Sequence, residues 1–471
     1  MFNSHRPYVC AALALSVAVP ALALDDPLMG STDLPTVLTA TRLRQAPAEV
    51  PGSMTVIDRE LIRASGARDV PELLRLVPGM KVGYLSGHRS NVNYHGTNTT
   101  EARRMQVLVD GRSVYRPGLA TVDWTDIPLA LEDIERIEVF RGPNTAAYGA
   151  NALMGVINII STSPDNYHGT RVKVTSGDRG VRDVYASQAF SHASTRARLS
   201  LFAKEDDGFD IDQFDSDYRD SRRLNAFTFA SSTELGANRV MDWQLGAKEG
   251  TNQRRNSYSP FAPGQQGSAF EYDRLMLDHQ ATSDVSARDY YARLHLKQDI
   301  SERHQLEFKA YAQHMERLRD WRACDSPVVF SEELRQLYAA SNVYPRRINS
   351  GLRGNERWSD PNELRKLVGP ELFPLVESVL SQHAAARSGA PVCWDLNENL
   401  RETRYEAEIQ STLQLHDRLR TVVGLNLRED RADSETFFGG GVNNTIGQLF
   451  ANFEYRPHER WLLHAGAMAE K

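Results

Sequence analysis

Residues 134–161 read IERIEVFRGPNTAAYGANALMGVINIIS, and they contain two strand-like runs around a turn-rich centre. Apolar and charged residues mix in the first run, residues 134–140. That run must end at Gly142 and Pro143, because glycine permits a sharp turn and proline cannot donate to a strand ladder. The second run, residues 155–160, is almost wholly apolar. Small residues between the runs allow this backbone to pack closely against another element.

Further blocks stand in a fixed order around this stretch. They are DVPELLRLVPG at residues 69–79, QVLVDGR at 106–112, RGP at 141–143 and YGANA at 148–152. Together they resemble the plug domain of TonB-dependent outer-membrane receptors over roughly residues 34–162, and an ordered set of blocks is more specific than one short motif. The resemblance implies an α/β plug domain inside a transmembrane antiparallel β-barrel. The alternative is an unrelated soluble α/β domain with similar turn signals.

Composition limits the class of protein. A chain of 471 residues is long enough for at least two domains. The formal net charge of -6 argues against a nucleic-acid partner, since nucleic-acid binders are usually basic. The mean hydropathy is -0.47, and no internal run approaches the roughly 18 apolar residues of a spanning helix. A chain of this kind would enter a membrane as a β-barrel, in contact with outer-membrane lipid.

The N-terminal residues indicate export. Residues 1–23 have the polar start, apolar centre and small-x-small end of a signal peptide. Residues 24–45 form a polar periplasmic extension, too short for an additional signalling domain. Within it, residues 34–42 resemble the Ton box, the extended segment that TonB captures by strand addition. These residues are Leu34, Pro35, Thr36, Val37, Leu38, Thr39, Ala40, Thr41 and Arg42.

The plug domain is predicted to span residues 46–165. Asp58 can cap a helix over residues 59–65, and a second helix is expected over residues 70–77. Two polar, aromatic-containing loops follow, at residues 83–100 and 113–126. In the family the apical plug loops meet the ligand, so the resemblance implies these ligand-binding candidates: Tyr84, His88, Arg89, Tyr115 and Arg116. The alternative is that they are ordinary solvated loop residues.

From residue 166 to 471 the hydrophobic pattern has a period of two. Short and long connections alternate between the predicted strands, as they do in outer-membrane barrels. About eleven strands are predicted, which is half of the 22 in plugged transporters. Because open sheet edges are costly in lipid, the expectation is a partial barrel from the N-terminal portion of a longer receptor. A smaller closed barrel is the alternative.

The longest predicted loop, residues 318–401, carries helical signals and two of the three cysteines. In an oxidising compartment Cys324 and Cys393 can form a disulfide that ties the neck of this loop. A thiolate metal site is the weaker alternative, because no histidines cluster nearby. No metal and no cofactor are predicted.

The resemblance implies active uptake across the outer membrane, energised by TonB and its inner-membrane complex. The expected ligand is a ferric siderophore, with cobalamin or another metal chelate as the alternative. Outer-loop groups such as Arg254, Arg255, Tyr258 and Arg319 could meet an anionic chelate. The sequence shows no catalytic motif, so an enzyme is not expected. A passive porin or a binding protein without transport is the alternative from another class, although a plug would block free diffusion.

Overall fold

The structure is a computed structural model of the whole chain. It describes residues 37–39, 41–94, 104–209, 220–253, 284–325, 332–341, 343–352, 355–388, 392–458 and 460–471. The predicted signal peptide lies outside the described residues, as do Leu34, Pro35, Thr36, Ala40, Arg254, Arg255 and Tyr258.

The first third of the described chain forms a small α/β unit, the plug. Its strands are β1 Ser53–Asp58, β2 Met80–Ser86, β3 Arg89–Tyr94, β4 Met105–Val109, β5 Arg112–Ser113, β6 Ile134–Arg141 and β7 Gly155–Ser161. Its helices are α1 Arg59–Ala64, α2 Val70–Leu74 and α3 Thr145–Tyr148, with 3-10 turns at Pro47–Glu49, Trp124–Asp126, Leu131–Asp133, Ala150–Ala152 and Pro164–Asn166. Five strands form one sheet in the order β1-β6-β7-β4-β5, in which only β4 and β7 run parallel. The predicted α/β plug with a mixed sheet is confirmed.

Local chemistry sets the ends of the plug helices. The side chain of Asp58 caps α1 by accepting from the backbone N–H of Leu61. Helix α2 is shorter than predicted, because the N–H groups of residues 75–77 bond three residues back instead of four. That tighter turn leads into Pro78 and into Gly79, which has φ of 81°.

Eleven long strands form a second, antiparallel sheet that curves around the plug. They are β8 Thr170–Ser176, β9 Arg182–His192, β10 Thr195–Asp206, β11 Arg222–Glu234, β12 Arg239–Asn252, β13 Val285–Ser301, β14 His304–Leu318, β17 Leu400–His416, β18 Leu419–Ser434, β19 Gly440–His458 and β20 Trp461–Glu470. Each strand pairs with the next along the chain, apart from β14, which pairs with β17 across the long insertion. The short helix α9, Glu435–Phe438, lies between β18 and β19.

The two faces of this sheet differ as a membrane barrel requires. Apolar side chains such as Val172 and Val174 are 69% and 71% exposed on the outside. On the inside, Arg198 and Lys248 are each only 1% exposed, because the plug covers them. The apolar face therefore suits lipid, and the charged face surrounds the plug. Within the described residues, no helix is long and apolar enough to span a bilayer.

The insertion between β14 and β17 has its own hydrophobic core. It contains the strands β15 Asp320–Asp325 and β16 Val392–Asn397 and the helices α4 Glu332–Ala340, α5 Val343–Leu352, α6 Glu356–Ser359, α7 Pro361–Val368 and α8 Phe373–Ser388. Leu337, Ile348 and Val376 are fully buried among these helices. In the β15–β16 register, Cys324 lies directly opposite Cys393.

Candidate functional site

The described part of the predicted Ton box lies inside the protein. Residues 37–39 and 41–45, here called the docked segment, lie in a hairpin-like turn between the plug and the barrel wall. Val37 and Gln45 exchange both backbone hydrogen bonds, at 2.8 and 3.1 Å. Val37 and Thr39 are fully buried. The backbone that a strand-adding partner would need is therefore already paired.

One buried carboxylate of the plug sheet holds this segment. Glu138 Oε2 accepts from the backbone N–H groups of Leu38 and Thr39, both at 3.1 Å, and from Thr39 Oγ1 at 2.5 Å. Its other oxygen accepts from Arg136 Nε at 2.8 Å. Asn144 Nδ2 donates to the carbonyl oxygen of Thr39 at 3.0 Å. Glu138 is fully buried, so these bonds are not weakened by competing water.

Arg42 fastens the same segment to the barrel. Its Nη1 is 2.6 Å from Glu408 on β17, and its Nε donates to the carbonyl oxygen of Ala147 at 2.7 Å. Its guanidinium also lies over the ring of Phe450, 4.0 Å from the centroid. Arg42 has φ of 63°, so a non-glycine residue is held in a left-handed conformation by these contacts.

The small residues of the turn after β6 pack against the wall, as their size predicted. Helix α3 contacts β19 and β20. Gly149, with φ of 80°, lies so close that an added Cβ would be 2.9 Å from Gln448 Nε2. A larger residue here would separate this turn from the wall.

A buried charge network joins the plug loop at residues 113–126 to the barrel. Lys248 Nζ lies 2.6 Å from Asp126 and 2.8 Å from Asp289. Arg317 Nε lies 2.9 Å from Asp123 and 3.1 Å from Asp126. Burial by itself would raise the pKa of Asp126, but Arg317 and Lys248 outweigh it and hold that pKa well below its usual range. Ion pairs between the carboxylates of the plug loop and the barrel cations Lys248 and Arg317 therefore hold this loop against β12, β13 and β14.

Three of the five ligand candidates line one pocket of about 150 Å³ at the long-connection end of the barrel. They are His88, Arg89 and Arg116. Trp124 and Asn252 line the same pocket. Burial lowers the pKa of His88, although its hydrogen bond to the carbonyl oxygen of Gln253 acts in the opposite direction. Arg116 is only 6% exposed and pairs with Glu402 at 2.6 Å and with Asp123 at 3.0 Å.

The other two candidates lie elsewhere. The Tyr115 hydroxyl donates to the carbonyl oxygen of Met105, and the ring belongs to the plug core. Tyr84 is on β2 with the guanidinium of Arg75 over its ring, 5.3 Å from the centroid. Burial raises the pKa of Tyr84 to about 12, so it remains a neutral phenol. The pocket therefore gathers His88, Arg89 and Arg116 but neither tyrosine.

A family comparison agrees with this architecture. The family model described as TonB-dependent Receptor Plug Domain matches residues 46–156. Residues 46–156 thus match the plug domain of TonB-dependent receptors, and the eleven-stranded antiparallel sheet is consistent with part of a β-barrel. The fold and outer-membrane location expected from the sequence are thereby confirmed.

Curated relatives of the receptor include vitamin B12 transporters. The transporter of Vibrio vulnificus is 34% identical over 179 residues, which cover 37% of this chain and 28% of the relative. That of Photobacterium profundum is 30% identical over 216 residues, covering 41% of this chain and 34% of the relative.

Solved structures of siderophore receptors share the fold. The ferripyoverdine receptor of Pseudomonas aeruginosa superposes with a TM-score of 0.59 at 13% identity, covering 93% of this chain and 54% of that one. The ferric-catecholate import receptor Fiu of E. coli gives 0.57 at 13% identity, covering 90% of this chain and 60% of that one. The chain thus covers 54% and 60% of the length of these two solved chains, which fits the predicted partial barrel.

Sequence reasoning missed the residues that hold the plug in the receptor. Glu138 was visible only as one charge in a strand-like run, and Lys248 as one of many polar residues on a period-two face. A charged residue at an otherwise buried strand position was the available signal for Glu138. No feature of the neighbouring sequence distinguished Lys248 from the other polar residues on its face of the strand.

Proposed function

We propose that this receptor takes up a metal chelate across the outer membrane and that TonB drives the uptake by pulling residues 34–42. The observation that carries the proposal is the docked segment. It is a short hairpin-like turn at the short-turn end of the barrel, and Arg420, next to the β17–β18 turn, donates to the carbonyl oxygen of Arg44 at 3.2 Å. A pull on this stretch acts directly on Glu138 in the plug sheet and on Glu408 in the wall.

The pocket at the opposite end is proposed as part of the ligand site. Its volume of about 150 Å³ is below the roughly 300–1,000 Å³ of small-molecule sites, so the outer connections must supply the rest. Arg89 and Arg116 are among its lining residues, and guanidinium groups suit the carboxylate, catecholate or phosphate oxygens of a chelate; Arg116 keeps Nη2 for this, since its other nitrogens pair with Glu402 and Asp123.

A ferric siderophore is the ligand that the sequence favours, and cobalamin is the second candidate. The curated relatives described above support cobalamin, because they are named vitamin B12 transporters and are 30% to 34% identical in the matched region. The siderophore receptors, at 13% identity, support the fold alone.

Val37→Pro tests the coupling. Proline removes the Val37 N–H, which donates to Gln45 in the docked state and which strand addition to TonB would also need. A gene-deletion strain complemented with this variant should take up neither radiolabelled cyanocobalamin nor the host's labelled ferric siderophores, whereas the wild-type gene should restore one of them. Val50→Pro, beyond the docked segment, is the control. Normal uptake by the Val37→Pro receptor would contradict TonB-driven transport.

A further inference from the structure

Three cavities follow one another along one side of the plug. The outer one is the pocket of about 150 Å³ described above, and it shares Arg116, Asp123 and Arg317 with a narrow space of about 20 Å³. That space is also lined by Arg112 and Gln313. An inner cavity of about 270 Å³ begins at the neighbouring residues of the plug loop and extends to the docked segment. The three cavities therefore lie one after another between the two ends of the plug, and Arg112 and Gln313 stand between the narrow space and the inner cavity.

The inner cavity is polar enough to hold water. The plug contributes Gln106 and Asn158, and the barrel contributes charged groups from β13, β14, β17 and β18. They include Arg293, Glu307, Lys309 and Arg428. Cavities with such linings are hydrated, whereas empty cavities are apolar. A hydrophilic solute could pass along this wall without leaving a polar environment.

Contacts of Arg112 and Gln313 separate the narrow space from the inner cavity, whereas ion pairs of Arg317 with Asp123 and Asp126 also line the narrow space. Arg112 Nη1 donates to Gln313 Oε1 at 2.6 Å, and Gln313 Nε2 donates to the carbonyl oxygen of Ser113 at 3.1 Å. The Arg112 guanidinium also lies over the ring of Tyr291, 4.0 Å from the centroid. None of these three contacts is an ion pair, so this closure costs less to open than the carboxylate network beside it.

The inner end of the row is closed by the docked segment itself. Leu38 and Arg42 are lining residues of the inner cavity, as is Glu408, the partner of Arg42. Withdrawal of residues 38–42 toward the periplasm would remove both side chains and open the cavity at that end.

A larger cavity lies on another side of the plug and has none of these features. It measures about 570 Å³ and is lined by α1 and by β8, β9 and β10. It shares no lining residue with the row of three. Neither the docked segment nor the ligand candidates contribute to it. Size alone would select this cavity, but a pull on residues 37–42 would leave it unchanged.

We propose that the ligand crosses the receptor along the plug face that lies against β13, β14 and β17, with Arg112–Gln313 as the inner gate and the docked segment as the final closure. This path rests on the proposed TonB-driven uptake and adds the side of the plug on which it occurs. The plug then moves locally along one wall, and its contacts with β8–β10 persist.

Cysteine accessibility in cells tests the path. Gln410→Cys places a thiol on the β17 wall of the inner cavity, and Thr175→Cys places one on the β8 wall of the larger cavity, on the same inward face as its cross-strand neighbour Asp183. Leu38→Cys reports release of the docked segment. The complete receptor gene carrying each change is expressed in cells with and without TonB, supplied in turn with cyanocobalamin and with iron-loaded spent medium of the host. The probe is fluorescein maleimide, and the parent chain, which retains Cys324 and Cys393, sets the background.

The labelling rate of Gln410→Cys should rise by about tenfold or more with TonB, because labelling follows the population of the open state. The rate for Thr175→Cys should stay within about twofold. A rise at Leu38→Cys with no rise at Gln410→Cys, or an equal rise at both walls, would overturn the path and leave the uptake proposal intact. No rise at Leu38→Cys would overturn both. Asn426→Cys, on the β18 wall of the same inner cavity, repeats the test if Gln410→Cys is poorly assembled.

Discussion

Glu138→Gln should release the docked segment without TonB. The wild-type carboxylate accepts three hydrogen bonds from Leu38 and Thr39. Glutamine keeps one acceptor oxygen but loses the charge. Hydrogen bonds to charged groups contribute about 1.5–3 kcal/mol and neutral ones about 0.5–1.5, so each bond weakens by about 1 kcal/mol. The sum is about 3 kcal/mol, which corresponds to an increase of about 100-fold in the undocked population.

The assay is maleimide labelling of Leu38→Cys in outer-membrane vesicles that lack TonB. Because closing is fast relative to labelling, the rate follows the undocked fraction and should increase by about two orders of magnitude. Glu135→Gln is the matched control, since it lies on the same strand, is 38% exposed and pairs with Arg59 at 3.2 Å. An exposed pair of this kind is worth about 0–1 kcal/mol. If the two variants label at rates within about twofold of each other, Glu138 does not hold the segment.

Three further predictions concern the charge network, the insertion and the pH response. Lys248→Met removes one of the two cations that pair with the buried carboxylates Asp126 and Asp289, leaving Arg317 as their remaining partner, and should lower the free energy of unfolding in detergent by about 3 kcal/mol. Lys173→Met, which breaks a pair whose lysine is 57% exposed, should cost about 1 kcal/mol or less, and both values are measured from urea unfolding curves. Cys324 and Cys393 should show no free thiol in receptor purified from the outer membrane, and replacing either by serine should expose one reactive thiol; two reactive thiols in the wild type would refute the disulfide. Burial lowers the pKa of His88 below its ordinary 6.5, so the unfolded chain binds a proton at a higher pH than the folded chain does. The free energy of unfolding should therefore fall as pH drops below about 6.5, and His88→Gln should remove the contribution of this residue to that pH dependence. Identical pH dependence of the two proteins would argue against it.

The order of elements could be predicted from the sequence because its signals are local. Alternation of apolar and polar residues along β10, β12 and β17 sets which face is apolar, and the glycine and proline residues after β6 set where that strand ends. The alternation of short and long connections then indicates a membrane barrel rather than a sandwich. The proximity of Cys324 and Cys393, which lie opposite each other in the β15–β16 register, was also within reach, because both lie near the ends of one insertion.

The candidate site was only partly predictable, since the ligand candidates came from loop composition. Neighbouring residues of one polar loop can point in different directions, into a pocket or into the plug core. Arg116 lines the pocket, whereas Tyr115, one residue earlier, lies in the core. Only packing decided that Tyr115 belongs to the core and that its hydroxyl reaches Met105.

The sequence by itself determined the strand pattern, the plug motifs and the apolar outer face, because each depends on neighbours within a few residues. The tertiary structure alone decided which charges meet. The carboxylate of Glu138 accepts a hydrogen bond from Thr39, which is 99 residues away in sequence, and Lys248 pairs with Asp126, which is 122 residues away. A charged residue on a strand looks the same in sequence whether it faces water or a buried partner, and only the fit of the plug inside the barrel removes the water that would otherwise solvate it.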